Sequence, residues 1–200
     1  MGEQETVLKN IDRLPKLIAL NGAIGSGKDT VAEYLGIYFD YGILGFSDVI
    51  YESLYRLNPA VLLGTGRAEH LQRIVDSYGW DHAKRRHPAV RAMLRTQGTE
   101  NGRNIHGDDC WLKVSQRRME QSGKPRFVFR DLRFPNEADF IRSLGGQIWR
   151  IEGRVSEEVG NLPEHVSEQH IIEPDRVLVN DGTVARLYHR VNSLMAWYVE

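Results

Sequence analysis

Seven consecutive residues, Gly22-Ala23-Ile24-Gly25-Ser26-Gly27-Lys28, place a glycine at each end of a short loop and a lysine directly after it. Glycines at this spacing let successive backbone N–H groups converge on one anion, and the lysine reaches the outer phosphate oxygens of a bound nucleotide. Such a loop needs a strand before it and a helix after it, because the helix N-terminus adds its partial positive charge. The sequence supplies both. PKLIALN (15–21) is a short apolar run ending in Asn-Gly, and VAEYLGIYF (31–39) carries Val31, Tyr34, Leu35 and Tyr38 at helical spacing. The residue after Lys28 departs from the general pattern, which has Ser or Thr there to ligate Mg²⁺; here Asp29 follows, then Thr30. Two assignments stand open. Either the Asp29 carboxylate holds the metal, directly or through water, or Asp29 faces an arginine and Thr30 binds it.

A second group with chemical potential is Asp131 with Arg133, just after the strand-like RFVFRDL (126–132). Phosphoryl transfer needs an oriented metal and neutralised charge, so this pair reads as a carboxylate near the metal and an arginine gripping phosphate. Asp131 is equally readable as a cap for the helix expected over 135–144. His165, Glu168 and His170 resemble metal ligands by type, but they lie in a polar segment without further ligands and read better as solvated residues. No Ser-His-Asp or Cys-His nucleophile is visible.

These residues need elements to hold them. After the first strand, loop and helix, GILGF (42–46) is a second strand, with Ser47 or Asp48 capping a helix over VIYESLYRL. The stretch from about Arg67 to Gln121 reads as helical. Leu71, Ile74, Val75 and Tyr78 form one stripe, Val90, Met93, Leu94 and Gln97 another after Pro88, Gly98 interrupts that helix, and Asp108 or Asp109 caps the next. Residues 126–132 form a strand, 135–144 a helix ended by Gly145-Gly146, and 147–151 a strand. Residues 152–176 form an acidic loop or lid, 177–180 a strand, and 183–198 a final helix. Strands alternating with helices predict an α/β fold with a parallel sheet covered on both faces and ligands at the carboxyl ends of its strands. The glycine loop, Asp48, the 131–133 segment and Asn180 are all expected there.

The chain has 200 residues with 41% apolar and 26% charged, which excludes collagen-like, low-complexity and disordered classes and favours one domain. No apolar run suits a membrane span and no signal pattern opens the chain, so a cytoplasmic protein is expected. One cysteine, Cys110, excludes an internal disulfide framework. Of 26 basic residues twenty are Arg and six Lys, at a formal net charge of −1. Near-neutrality argues against direct nucleic-acid binding. Charge is nevertheless segregated: Lys84 to Arg103 holds six basic residues against Glu100, whereas Glu152 to Asp175 holds seven acids against Arg154. A basic stretch in a neutral chain indicates a local anion site. Within it Arg91 and Arg103 lie near Gln97, an amide able to pair with a base edge; Arg95 reads as solvated.

GAIGSGKDT resembles the deoxynucleoside monophosphate kinases of bacteriophages, within the P-loop nucleoside monophosphate kinase superfamily, where Lys-Asp-Thr is usual. FSDVI (46–50), VRAMLRTQGTENGR (90–103), DDCW (108–111), RDLRFPNEA (130–138), HVSE (165–168) and NDGTVARL (180–187) resemble the same family in order, and the GTENGR and DLRFPNE blocks narrow the likeness. The resemblance implies a three-layer P-loop kinase fold in a single domain over 1–200. Its core would be 15–47, 125–151 and 177–200, with a helical monophosphate-binding insertion at about 48–124 and a lid at about 152–176. It implies ATP as phosphoryl donor, Mg²⁺ held through Asp29, Thr30 or Asp131, and a small-molecule deoxynucleoside monophosphate as acceptor. Gly22, Ile24, Gly25, Ser26, Gly27, Lys28, Asp29 and Thr30 would hold the ATP phosphates, and Asn180, Gly182 and Thr183 would border the adenine. Asp48, Arg91, Gln97, Arg103 and Trp111 would form the monophosphate pocket, Arg133 would meet the transferred or accepting phosphate, and Arg154 would arrive over the γ-phosphate as a lid arginine. Lys28, Asp131, Arg133 and Arg154 would carry catalysis in the host cytoplasm. Another small-molecule P-loop kinase, such as one acting on dephospho-coenzyme A, and a nucleotide-binding ATPase or switch are the competing readings. Trp197-Tyr198 near the terminus reads as core or as a homodimer interface.

Overall fold

The short apolar runs of the sequence become the strands of one parallel sheet. The structure is a computed structural model that describes residues 10–153 and 172–199. In chain order its elements begin with a 3₁₀ turn at Ile11–Arg13, β1 (Leu17–Asn21), α1 (Lys28–Phe39), β2 (Gly42–Leu44), α2 (Asp48–Leu57), β3 (Ala60–Leu62) and β4 (Ala68–His70). There follow α3 (Leu71–Arg86), α4 (Pro88–Gly98), a π turn at Thr99–Arg103, α5 (Asn104–His106) and α6 (Cys110–Ser122). The chain then forms β5 (Phe127–Phe129), α7 (Pro135–Ser143), β6 (Gln147–Gly153), β7 (Arg176–Asn180) and α8 (Val184–Trp197). Two compact units result: the described parts of Met1–Gly45 and Arg117–Glu200 form one, and Phe46–Gln116 the other.

In the first unit the sheet order is β2-β5-β1-β6-β7, every neighbouring pair parallel. Leu17 pairs with Phe127 on one side of β1, and Ala19 with Ile148 on the other. The chain leaves β1 for the β2 edge and later fills both flanks of β1. The carboxyl end of β1 is therefore the point where strand order reverses, which is where open α/β sheets hold ligands. One face of the sheet buries Ile18, Leu20, Val128, Trp149, Ile151 and Leu178 with Val31, Leu35 and Phe39 of α1 and Leu187, Val191 and Met195 of α8. Helix α7 covers the other face, burying Ala138 and Ile141 beside β1 and β6. Each such Leu or Ile contributes about 1.5–3 kcal/mol by leaving water, so the strand ends that carry the site rest on a rigid base.

The second unit has its own core, Leu54, Val61, Leu71, Ile74, Ala83 and Val90. Three expectations from sequence are corrected here. Residues 67–70 are not helical: β4 pairs antiparallel with β3, closed by Leu63 N–H to Arg67 O at 2.7 Å. Strands this short carry too little periodicity to read. Tyr78 leaves the buried stripe because Gly79, at φ +78°, breaks α3; the exposed ring stacks on His82 at 4.7 Å instead. Gly98 does not stop the helical path, which continues through the π turn to His106. In the first unit, Glu152 and Gly153 belong to β6 rather than a loop, since Glu152 pairs with Val179 and Gly153 with Asn180. Of the terminal aromatic pair, Trp197 is 56% exposed under the Arg176 guanidinium, whereas Tyr198 packs against the core beside Trp149.

Candidate functional site

The glycine loop runs from the carboxyl end of β1 to the first turn of α1. Gly22, Gly25 and Gly27 have φ of +146°, +79° and +105°, values an L side chain rarely adopts, so the glycines are needed for the curve itself. Two of them also lie against backbone or side chain: a Cβ on Gly22 would stand 2.4 Å from Ile151 O, and one on Gly27 2.6 Å from Asn180 Nδ2. Lys28 opens α1, and its Nζ donates to Gly22 O and Ala23 O, each at 2.7 Å. The ammonium is thus folded over the loop it serves. Ser26 is 2% exposed, its Oγ without a hydrogen-bond partner among the described residues. Ile24 and Asp29 are exposed and Thr30 half-buried in the helix's first turn.

Beside the loop, Leu132 N–H donates to Leu20 O at 3.1 Å, and Asn21 Nδ2 to Leu132 O at 3.1 Å. The 131–133 segment is thereby tied to the end of β1. Asp131, half-buried, is not the cap of α7; Phe134 occupies that position. The capping carboxylate comes from within the helix: Glu137, 3% exposed, accepts from Arg133 N–H at 2.8 Å and Phe134 N–H at 3.0 Å. Arg133 therefore has a pinned backbone and an exposed side chain. Sequence patterning passes over Glu137, although Pro135 at the first helical position with a glutamate two residues later is a signal for it. Replacing Glu137 by alanine leaves two N–H donors without their acceptor. The expected result is a loss of roughly 1–3 kcal/mol in thermal or denaturant unfolding, with Glu137→Gln, which keeps a carbonyl oxygen, losing less.

The third side of the loop is made by the ends of β6 and β7. Asn180 Nδ2 donates to Ser26 O at 2.9 Å, and a Cβ on Gly153 would lie 2.6 Å from that same oxygen. The turn after Asn180 is occupied by its own contacts. Thr183 caps α8 through Oγ1, Asp181 pairs with Arg190 at 3.1 Å, and Gly182 lies under the Arg186 side chain. Partial burial raises the Asp181 carboxyl, but Arg190 and Arg186 outweigh it and hold the group below the usual range.

In the second unit Asp48 is half-buried at the start of α2. Gln97 donates from Nε2 to Ser53 Oγ at 3.1 Å and accepts from Asn101 Nδ2 at 3.2 Å. An amide offers two donors and two acceptor positions, so one of each remains for a ligand. Trp111 Nε1 donates to Gly98 O at 2.8 Å, and its indole covers Gly102, where a Cβ would stand 2.2 Å from the ring. The ring thus braces the π turn that carries half-buried Arg103. Arg91 is exposed on α4 six residues before Gln97, about 9 Å along the axis and about 240° around it. The helix does not bring those two side chains to one face. Lys84 is spent on structure: burial opposes its charge, but Asp81 at 2.9 Å and the Tyr51 hydroxyl at 3.3 Å raise its pKa.

Arg154, His165, Glu168 and His170 lie outside the described residues. Among the described residues no three His, Cys, Asp or Glu side chains converge as a metal cage.

Comparisons with known proteins follow the same lines. A model of the deoxynucleotide monophosphate kinase family matches residues 68–191. A protein of Acanthamoeba polyphaga mimivirus, named as a candidate deoxynucleotide monophosphate kinase, is 29% identical over 194 residues, covering 88% of this chain and 94% of its own. The deoxynucleoside-5′-monophosphate kinase of Escherichia phage T5 is 30% identical over 111 residues, 53% of this chain and 39% of that one.

Proposed function

The chain belongs to the deoxynucleotide monophosphate kinase family, and on that premise we propose that it transfers the γ-phosphoryl group of ATP to the 5′-phosphate of a deoxynucleoside monophosphate. It is a phosphotransferase acting on a small nucleotide. The observation that carries the donor side is the glycine loop at the strand-order reversal, with Lys28 folded over it and Arg133 on a backbone tied to the same strand. Among the described residues no helix is long and apolar enough to cross a membrane.

An oxygen of the acceptor phosphate attacks the γ-phosphorus. The bond from γ-phosphorus to the β,γ-bridging oxygen breaks, that oxygen keeps the electron pair as ADP leaves, and the deoxynucleoside diphosphate forms. A phosphate monoester has a second pKa of about 6, so at neutral pH the attacking oxygen is largely deprotonated and no base is required. The barrier is repulsion between two polyanions, and the chain's task is positioning and charge neutralisation. Backbone N–H groups of 22–30 receive the donor phosphates, Lys28 neutralises their outer oxygens, and Arg133 meets the group in transfer. Asp29 or Thr30, with Asp131, would hold a Mg²⁺ ion, which when bound would supply Lewis-acid stabilisation of the phosphate oxygens. The residues of 46–116 receive the acceptor, with Arg103 and Arg91 for its phosphate, Gln97 for its base edge, Asp48 alongside and Trp111 bracing the turn. Gly182 and Thr183 border the adenine. Arg154, which lies outside the described residues, is the further arginine assigned to neutralise the γ-phosphate.

The test is ADP formation from ATP and Mg²⁺ with each of dAMP, dGMP, dCMP, dTMP, the ribonucleotides and dephospho-coenzyme A offered separately. Acceptor-dependent ADP with a deoxynucleoside monophosphate is expected. ADP formed equally without acceptor would favour an ATPase or switch, and turnover only with dephospho-coenzyme A would favour a different small-molecule kinase.

A further inference from the structure

We infer that Asn180 is a positioning residue for the phosphoryl donor: its side-chain amide clamps the Ser26 carbonyl and so sets the direction of the Ser26–Gly27 peptide N–H that receives phosphate. The inference rests on the donor reading above and changes the role given to this residue, from bordering the adenine to shaping the loop.

Three observations carry it. The first is the bond itself, 2.9 Å from Asn180 Nδ2 to Ser26 O across 154 positions of sequence. A peptide unit is planar with its C=O and N–H pointing in opposite directions. Holding Ser26 O toward β7 therefore turns the Gly27 N–H away from β7.

The second is that this peptide needs a clamp. Gly27 sits at φ +105°, ψ 14°, and a glycine tolerates either orientation of the peptide before it at little steric cost. Ser26 offers little restraint of its own. Its N–H bonds Ala23 O at 3.1 Å, but its buried hydroxyl has no hydrogen-bond partner among the described residues. A flipped peptide would aim a carbonyl, and so negative charge, where a phosphate must come.

The third is that the sheet delivers the clamp to this one oxygen. Asn180 pairs with Gly153 at the carboxyl ends of β7 and β6, and both close on Ser26 O, the amide at bonding distance and Gly153 with no space for a Cβ. Gly27 in turn leaves space for the amide, since a Cβ there would be 2.6 Å from Nδ2. Donor, acceptor and the two glycines form one fitted contact.

The experiment compares the full-length chain with Asn180→Ala and Asn180→Asp, the second isosteric but lacking the donor. Calorimetric titration uses two probes, Mg-ATP and Mg-tripolyphosphate, the latter having phosphates and no nucleoside. Thermal melting of each variant confirms that a folded chain is being titrated. If the clamp acts through the loop, Asn180→Ala weakens both probes by the same factor, about tenfold for one lost hydrogen bond. Asn180→Asp weakens both further, because a carboxylate then faces a carbonyl and a polyanion. In steady state KM for ATP rises while KM for the acceptor stays within about twofold. Weakened ATP with unchanged tripolyphosphate would overturn the inference and return Asn180 to a nucleoside contact. Unchanged binding of both probes in folded variants would overturn it outright. A wild-type chain that binds neither probe is a distinct failure, of the donor reading itself.

Discussion

Lys28→Ala is expected to lower kcat by about 10²-fold or more, with the fold intact. Its Nζ lies 2.7 Å from two carbonyls of the loop, so the charge is already held at the loop's mouth. Its reach to the oxygens of the transferred phosphate is the short one the loop spacing dictates. In the transition state charge spreads over those oxygens, and a fixed cation stabilises it without reorganising water. Removing one such contact typically costs about 3–4 kcal/mol, and each 1.36 kcal/mol is about tenfold in rate. Alanine is a better helix former than lysine and Lys28 is the first residue of α1, so thermal melting should move little. Single-turnover rates with saturating ATP, beside the melting curve, make the measurement. A folded variant turning over near the wild-type rate would remove Lys28 from the mechanism.

Arg133→Ala is expected to match that loss in kcat while leaving stability nearly untouched. The side chain is exposed and the backbone N–H keeps its bond to Glu137, so the fold has little to lose. The reaction has more at stake, because a bidentate guanidinium matches phosphate geometry in a way a compact ammonium does not. Arg133→Lys should therefore recover only part of the rate. Glu137→Ala supplies a contrast, since it perturbs the same arginine from behind: stability falls directly, and kcat falls to the degree that the 133–134 backbone loosens. If Arg133→Ala and Arg133→Lys both turned over like the wild type, the phosphate-gripping role would be wrong, however well ordered the backbone behind it.

Much of the proposed donor site is legible in the amino-acid sequence because its signal is local. Gly22, Gly27 and Lys28 lie within seven residues, and both the strand before and the helix after have their own periodicity. Arg133 is legible for a similar reason, as a charged residue directly after an apolar run. The proposed acceptor region is legible as composition only. The basic stretch from Lys84 to Arg103 stands out, but its members differ in fate. Lys84 is spent on Asp81 and Tyr51, Arg91 points off the Gln97 face, and Arg103 sits half-buried in the π turn. The hairpin of β3 and β4 is invisible to pattern because three-residue strands have no period to detect.

Residue types and short spacings are enough to establish an α/β chain with a phosphate loop between its first strand and helix, because converging N–H groups and helix amphipathicity depend on neighbours within a few positions. They are enough for the family likeness as well. The pairing of β1 with β5 and β6, the Glu137 carboxylate beneath Arg133, and the reach of Asn180 to Ser26 emerge only with the chain folded. Each depends on which strand ends the sheet brings side by side, and the Asn180 contact bridges 154 positions. Hydrogen bonds of about 3 Å between such distant segments are set by strand order and packing, which no local pattern encodes.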